Sequence, residues 1–329
     1  MTYCPLRRHR CGSLRATSAL IALVLAACTP STDPRDAGDA SGAVDATAMD
    51  GASGPDVAAR DVTVPGMCNP FMGEVVPAGS SCVRAVEGSV VQDDGASLTR
   101  GFVTVCGNAC FVGDVDSRGN FQAVVGEILP VSVYSLLVHG RPQHASAYWL
   151  LSSARDEMGI FRMTAPLSVP RYTSEGPELP ESMMVTAETR ATAGAVTLVF
   201  AAGSRLEFDF EDFELGALGR RVRVAEVALD RAPPFAAEGM VRGPVFALGP
   251  FALKIDRPVG VRVANRAMLA PGSSVEFVAM GDVIVSENPN AGRAVVVARG
   301  AVSMDGATIE TAAGQGLRSL TWIGVRPAR

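Results

Sequence analysis

The chain has 329 residues, 48% of them hydrophobic and 6% aromatic, with a formal net charge of −5. That length suits two or three domains, and the negative balance, with Lys254 the single lysine among 29 basic residues, opposes affinity for nucleic-acid phosphates. With 34 glycines and 21 prolines, many turns and short strands are expected.

Charge is distributed unevenly. Residues 1–27 hold Arg7, Arg8, Arg10 and Arg15 and no acid, which leaves −9 on residues 28–329. A basic stretch followed by the apolar run Ala16 to Ala27 reads as a secretory signal. The run is too short for the ~20 residues of a membrane-spanning helix, and no other stretch approaches that length. The string Leu25-Ala26-Ala27-Cys28 resembles the bacterial lipobox. The resemblance implies diacylglycerol on the Cys28 thiol, removal of 1–27 as a lipoprotein signal peptide, and acylation of the new amine. Several acyl chains give stable anchoring where one is marginal. The bland alternative is an ordinary signal followed by a chance cysteine. Thr29, not Asp, after the cysteine is similar to the outer-membrane pattern of Gram-negative lipoproteins. The expected address is the cell envelope, lipid-anchored in the outer membrane.

Residues 28–66 continue with seven aspartates against two arginines and hardly any large apolar side chain. Such a segment buries too little to offset its ordering entropy, so a disordered acidic tether is expected. It would reach at most ~130 Å fully extended and ~35 Å as a flexible coil.

Cys4 and Cys11 belong to the signal, which leaves Cys68, Cys82, Cys106 and Cys110. An even number in an exported chain reads as disulfides. Three pairings are open, and Cys68–Cys82 with Cys106–Cys110 is favoured. A four-cysteine zinc site is the competing reading, but the spacing lacks a Cys-x2-Cys pair.

Residues 67–152 show short alternating runs: Val86 to Gln92, Phe102 to Cys106, and Phe121, Ala123 and Val125 on one side of a strand. Strands at this spacing suggest an antiparallel β-sandwich. The strings Glu87-Gly-Ser-Val-Val-Gln, Gly-Phe-Val-Thr-Val and Asp114-x-Asp116-x-x-Gly119-x-Phe121 resemble a carboxypeptidase-regulatory-like (transthyretin-like) β domain. The likeness implies a fold and says almost nothing of function. Asp114, Asp116 and Gly119 fail the pattern of a calcium loop, with Arg118 and Val125 where ligands belong. A turn leading into a strand is the better reading.

In the β-rich middle region, 153–240, Leu206, Phe208 and Phe210 alternate with Glu207, Asp209 and Glu211. This predicts a strand with one apolar and one acidic face, its Asp209 and Glu211 carboxylates ~7 Å apart. Such a pair could serve glycoside hydrolysis of a polymer or hold a cation, although a solvated face is the simpler account. Val222 and Val224 stand in one phase and Val227 and Leu229 in the other, which predicts a β-bulge near Ala225.

Residues 241–329 read as a C-terminal β-sandwich, with runs at Val275 to Ala279, Ala294 to Ala298 and Leu320 to Val325. Asp305-Gly306 suits a two-residue type I′ hairpin. The turns and strands from Gly249-Pro250 to Trp322 resemble C-terminal β domains of bacterial surface lipoproteins and, faintly, a β domain shared by ankyrins and netrin receptors.

No elbow, Walker, zincin or Rossmann string is present. His139 and His144 read as loop residues, and Arg220-Arg221-x-Arg223 as a basic cluster that could touch anionic polysaccharide. The expectation is all-β: tandem antiparallel β-sandwich modules after a disordered N-terminal tether, with no cofactor, metal or catalytic residue. Its expected role is non-enzymatic, through surface binding or adhesion to an envelope protein or surface polysaccharide. The alternatives are a periplasmic assembly component and, less favoured, a hydrolase using the carboxylate pair.

Overall fold

The computed structural model of the chain describes residue 68 and residues 78–99, 101–107, 109–140, 142–282 and 291–329. The signal, Cys28 and the tether lie outside the described residues.

The fold is all-β. Its first part is a sandwich of strands β1 (Ser81–Val91), β2 (Phe102–Cys106), β3 (Cys110–Asp114), β4 (Asn120–Leu129), β5 (Ser135–Val138), β6 (Ala147–Leu150), β7 (Arg155–Glu157), β8 (Ile160–Arg162) and β9 (Leu167–Ser168). One sheet runs β4-β1-β8-β7 with β9 also on β1, and the other runs β3-β2-β5-β6. β8 and β9 lie parallel to β1, so the sandwich takes strands from as far along the chain as Ser168.

Entry into β4 follows from local chemistry. Asp116 Oδ1 accepts from the Arg118 and Asn120 N–H groups, an Asx-type turn. Gly119 supplies the positive φ of +81° that closes it. Phe121, Ala123 and Val125 then point into the core at a period of two.

The second part is a nearly closed barrel. Its elements are β10 (Ser174–Glu178), β11 (Thr189–Ala193), β12 (Val196–Phe200), β13 (Leu206–Glu207), α1 (Phe210–Glu214), α2 (Ala217–Arg220), β14 (Arg221–Val227), α3 (Phe235–Glu238), β15 (Arg242–Gly249), β16 (Lys254–Ala264), β17 (Ser274–Met280), β18 (Ala294–Val302), β19 (Thr308–Thr311), β20 (Leu317–Ser319) and β21 (Trp322–Pro327). The strand order is β10-β14-β15-β21-β17-β18-β19-β16-β12-β11, with β13 and β20 also on β16. This sheet takes strands from both sides of residue 240. Its two ends, β10 and β11, come together where a Cβ on Gly176 would stand 2.6 Å from the Thr192 carbonyl oxygen. Glycine permits that approach, and Pro177 lacks the N–H that a continuing ladder needs.

Two hydrophobic cores organise the molecule. One fills the barrel, with Leu198, Phe200, Val224, Leu248, Phe277 and Ile323 among its members. The other fills the sandwich and continues over the outer face of the barrel, joining Val86, Val103 and Leu136 to Val227, Phe235 and Trp322. Strands β14, β15, β17 and β21 therefore carry buried side chains on both faces. The two bodies are also joined by polar contacts. Trp322 Nε1–H donates to the Ser146 carbonyl at 2.7 Å, and the Tyr148 hydroxyl donates to Asp282 Oδ1 at 2.9 Å.

Double burial corrects one sequence expectation. β14 pairs β15 without interruption from Arg223↔Gly249 to Val227↔Val245, so there is no bulge near Ala225. Val222 and Val224 enter the barrel core while Ala225 and Val227 enter the other. The apparent phase slip is one straight strand serving two cores.

Two further expectations change. Residues 206–211 do not form a single strand. β13 ends at Glu207, and Asp209 caps α1 by accepting from the Glu211 N–H. Local capping by a short acidic side chain overrides the alternating pattern. Asp305-Gly306 is not a two-residue hairpin either. Ser303 N–H donates to the Thr308 carbonyl, and Asp305 Oδ1 accepts from the Ala307 N–H. The loop is therefore Met304 to Ala307, built around an Asx turn.

Candidate functional site

The barrel wall divides along β16. Its C-terminal half pairs β19, from Arg262↔Glu310 to Ala264↔Thr308. Its N-terminal part pairs β20, at Lys254↔Ser319 and Val259↔Leu317. The register with β20 shifts between Lys254 and Val259, where Pro258 has no N–H to give a ladder. Gly314 takes a φ of +74° in the turn joining β19 to β20. Gly316 then passes so near β16 that a Cβ there would stand 1.9 Å from the Val259 carbonyl oxygen.

β18 touches β19 only at Gly300 to Val302. Beyond that point β18 and β20 part, and a cavity of about 510 Å³ opens between them. This is within the size range of small-molecule sites. Val295 and Val297 line it from β18, Leu317, Arg318 and Ser319 from β20, and Asp282 lies at its depth. Asp282 is 2% exposed and accepts the Tyr148 hydroxyl, which ties the slot to the sandwich. Ser319 Oγ is buried and makes no hydrogen bond among the described residues.

Side chains close the two ends of the open β18 edge. Glu238 Oε2 accepts the Ala294 N–H at 3.2 Å, and Gln315 Oε1 accepts the Arg299 N–H at 2.7 Å. A groove of about 350 Å³ continues from the slot over β11, β12, β16 and β19, sharing Pro258, Gly314 and Gln315 with it. Its charges are matched in pairs, Arg262 with Glu310 at 2.8 Å and Arg190 with Glu188 at 3.5 Å.

The residues singled out from sequence lie elsewhere. Cys68 is bonded to Cys82 and Cys106 to Cys110. Both disulfides sit at one end of the sandwich. The N-terminal end of β1 pairs the C-terminal end of β4 there, and Cys106 and Cys110 face each other across the β2–β3 hairpin. Asp209 is occupied as a helix cap, and Glu211 Oε2 lies 3.6 Å from His139 Nδ1. The two carboxylates therefore do not share a strand face. His139 stacks on Phe102 at 3.9 Å between ring centroids. His144 lies 3.0 Å from Gln92 Oε1, and burial, seconded by the Arg171 charge, holds its pKa below the usual value.

The arginine cluster is not a surface patch. Arg220 is paired with Glu178, and Arg223 meets the Pro142 carbonyl and Asp212, whose side chain is fully buried. Arg221 alone of the three is substantially exposed, beside Glu175. Among the described residues, no group of three or more His, Cys, Asp and Glu side chains is placed to hold a metal ion.

Sequence reasoning missed the slot because it is set by which strands pair: β18 pairs β19 and β20 pairs β16, and neither pairs the other. Its local signals are Pro258 in the middle of a strand and the Gly314–Gly316 pair. Comparisons with protein-family models, with curated proteins and with solved structures find no match to this chain.

Proposed function

We propose that the chain is a lipid-anchored, non-enzymatic protein of the outer membrane that binds an envelope or surface ligand at the barrel slot. Its anchor is Cys28, its tether is the acidic stretch that follows, and its first folded module is of the carboxypeptidase-regulatory-like kind. The observation that carries the reading is the slot: a cavity of about 510 Å³ whose lining joins the aliphatic Val295, Val297 and Leu317 to the polar Asp282, Arg318 and Ser319. Clustering of both disulfides at the end of the sandwich where the chain enters supports an exported protein held from that end.

A second reading, a periplasmic assembly component that docks an envelope protein, is favoured by the unpaired strand edges flanking the slot. Two measurements test the proposal. Cys28→Ala should move the protein from the membrane to the soluble fraction, and unchanged fractionation would remove the anchor. Protease treatment of intact and lysed cells then separates the two readings. Digestion on intact cells favours surface binding, and protection until lysis favours the periplasmic role.

A further inference from the structure

We infer that the slot between β18 and β20 takes an extended segment of polypeptide, which completes the barrel wall as an added strand. The inference rests on the reading of the chain as a binding protein and names the ligand class of the same site.

The backbone directions carry it. Arg293 O accepts the Gly281 N–H on the β17 side, whereas the Ala294 N–H turns the other way to Glu238. By the two-residue period of a strand, Val296, just before the β17–β18 register shifts between Phe277 and Val278, turns its N–H and C=O away from β17 and toward the gap between β18 and β20. On the opposite wall the Leu320 N–H bonds to the Leu253 carbonyl, so the adjacent Ser319 turns its backbone away from β16 and into the slot. Each wall thus carries edge groups of the kind a strand pairs with. Glu238 and Gln315 take the edge N–H groups of Ala294 and Arg299. They limit the open stretch of β18 to the four residues between, which sets a short footprint.

Strand directions follow from the sheet. β18 and β16 each run antiparallel to β19, and β20 runs antiparallel to β16. β18 and β20 are therefore antiparallel to each other, and an inserted segment lies parallel to one and antiparallel to the other. Its side chains alternate between two environments. One set meets Ala279, Val295, Val297 and Leu317 and calls for modest aliphatic groups. The other meets Gln315 and Arg318 at the rim, where the guanidinium favours a carboxylate. The expected ligand is a short, extended, alternating aliphatic–polar peptide with an acidic residue.

The test is selection of a phage-displayed random linear decapeptide library on the full chain in detergent, followed by binding of the selected peptides as synthetic molecules. Peptides of that pattern are expected. N-methylation of alternate backbone amides should weaken them about tenfold or more, as loss of hydrogen bonds to a preformed edge does. Val296→Pro should weaken them comparably while the melting temperature holds, because the N–H it removes does not serve β17. Arg318→Glu should shift the selected peptides from acidic to basic. Peptides indifferent to N-methylation, or no selection above vector phage, overturn the inference. The N-methylation arm decides even where the proline variant fails to fold. Cys28→Ala fractionation is unaffected by either outcome, so failure here is distinct from failure of the anchored-protein reading.

Discussion

Single residues show how polar groups are kept inside this fold. Asp212 and Arg223 are both buried, with Asp212 Oδ1 and the guanidinium 3.7 Å apart. Arg223 also lies over the Tyr172 ring at 5.1 Å and reaches the Pro142 carbonyl. One long side chain thus binds the barrel to the sandwich, and that explains why a strand otherwise buried on both faces tolerates a charge. His144 supplies a pH dependence. Its pKa is lowered in the folded state, first by burial and then by Arg171, so the unfolded chain binds the proton more readily. Stability therefore falls as pH drops through the unfolded value near ~6.5 toward the lower folded one. Denaturant midpoints measured between about pH 7 and pH 5 should fall less steeply in His144→Gln than in the parent. Parallel profiles would show that His144 does not carry the effect. Asp305 works in the same sense at lower pH. The Ser303 hydroxyl and then the Ala307 N–H hold its carboxyl below the usual range, so its contribution is present above that range and lost as pH falls through the folded value.

At the scale of elements, burial on one face or two separates what sequence patterns reveal from what they hide. β4 is buried on one face, and Phe121, Ala123 and Val125 could be read from alternation alone. β14 is buried on both, and its apparent phase slip misled for that reason. The stretch 206–211 misled for another: a single Asx cap at Asp209 was enough to turn an alternating string into a helix start. The barrel seam depends on glycine at one position. Replacing Gly176 with valine would drive a side chain onto the Thr192 carbonyl, at a cost of ~1–3 kcal/mol for overpacking. A lowered denaturant midpoint with unchanged slope is the expected result, and an unchanged midpoint would mean that the seam yields freely.

For the whole molecule, the shared core matters most. Residues from Val83 to Trp322 belong to one continuous hydrophobic cluster, and Trp322 and Ser146 bond across 176 positions of sequence. Sandwich and barrel are therefore expected to unfold together. Calorimetry should give one transition whose calorimetric and van't Hoff enthalpies agree. Two resolved transitions would show that the bodies are stable separately. Reducing the Cys68–Cys82 bridge should lower the midpoint of that transition, by an amount corresponding to ~3 kcal/mol for a loop of this length.

Composition, turn residues and alternation by themselves determined the all-β class, because each acts over a few residues. Leu25 to Cys28 and the aspartates after it likewise define the anchored-protein expectation without any tertiary contact. The tertiary structure alone decided that the strands after residue 174 form one nearly closed barrel, that a second core joins it to the sandwich, and that Asp209 and Glu211 are spent on local contacts. It also decided the slot. Val297 lines one wall and Ser319 the other because β19 joins β18 to β16 only as far as Thr311, and nothing local to either strand shows that the two do not pair. A cavity made by the failure of two strands to meet is set by register across the sheet, and register is a property of the folded whole.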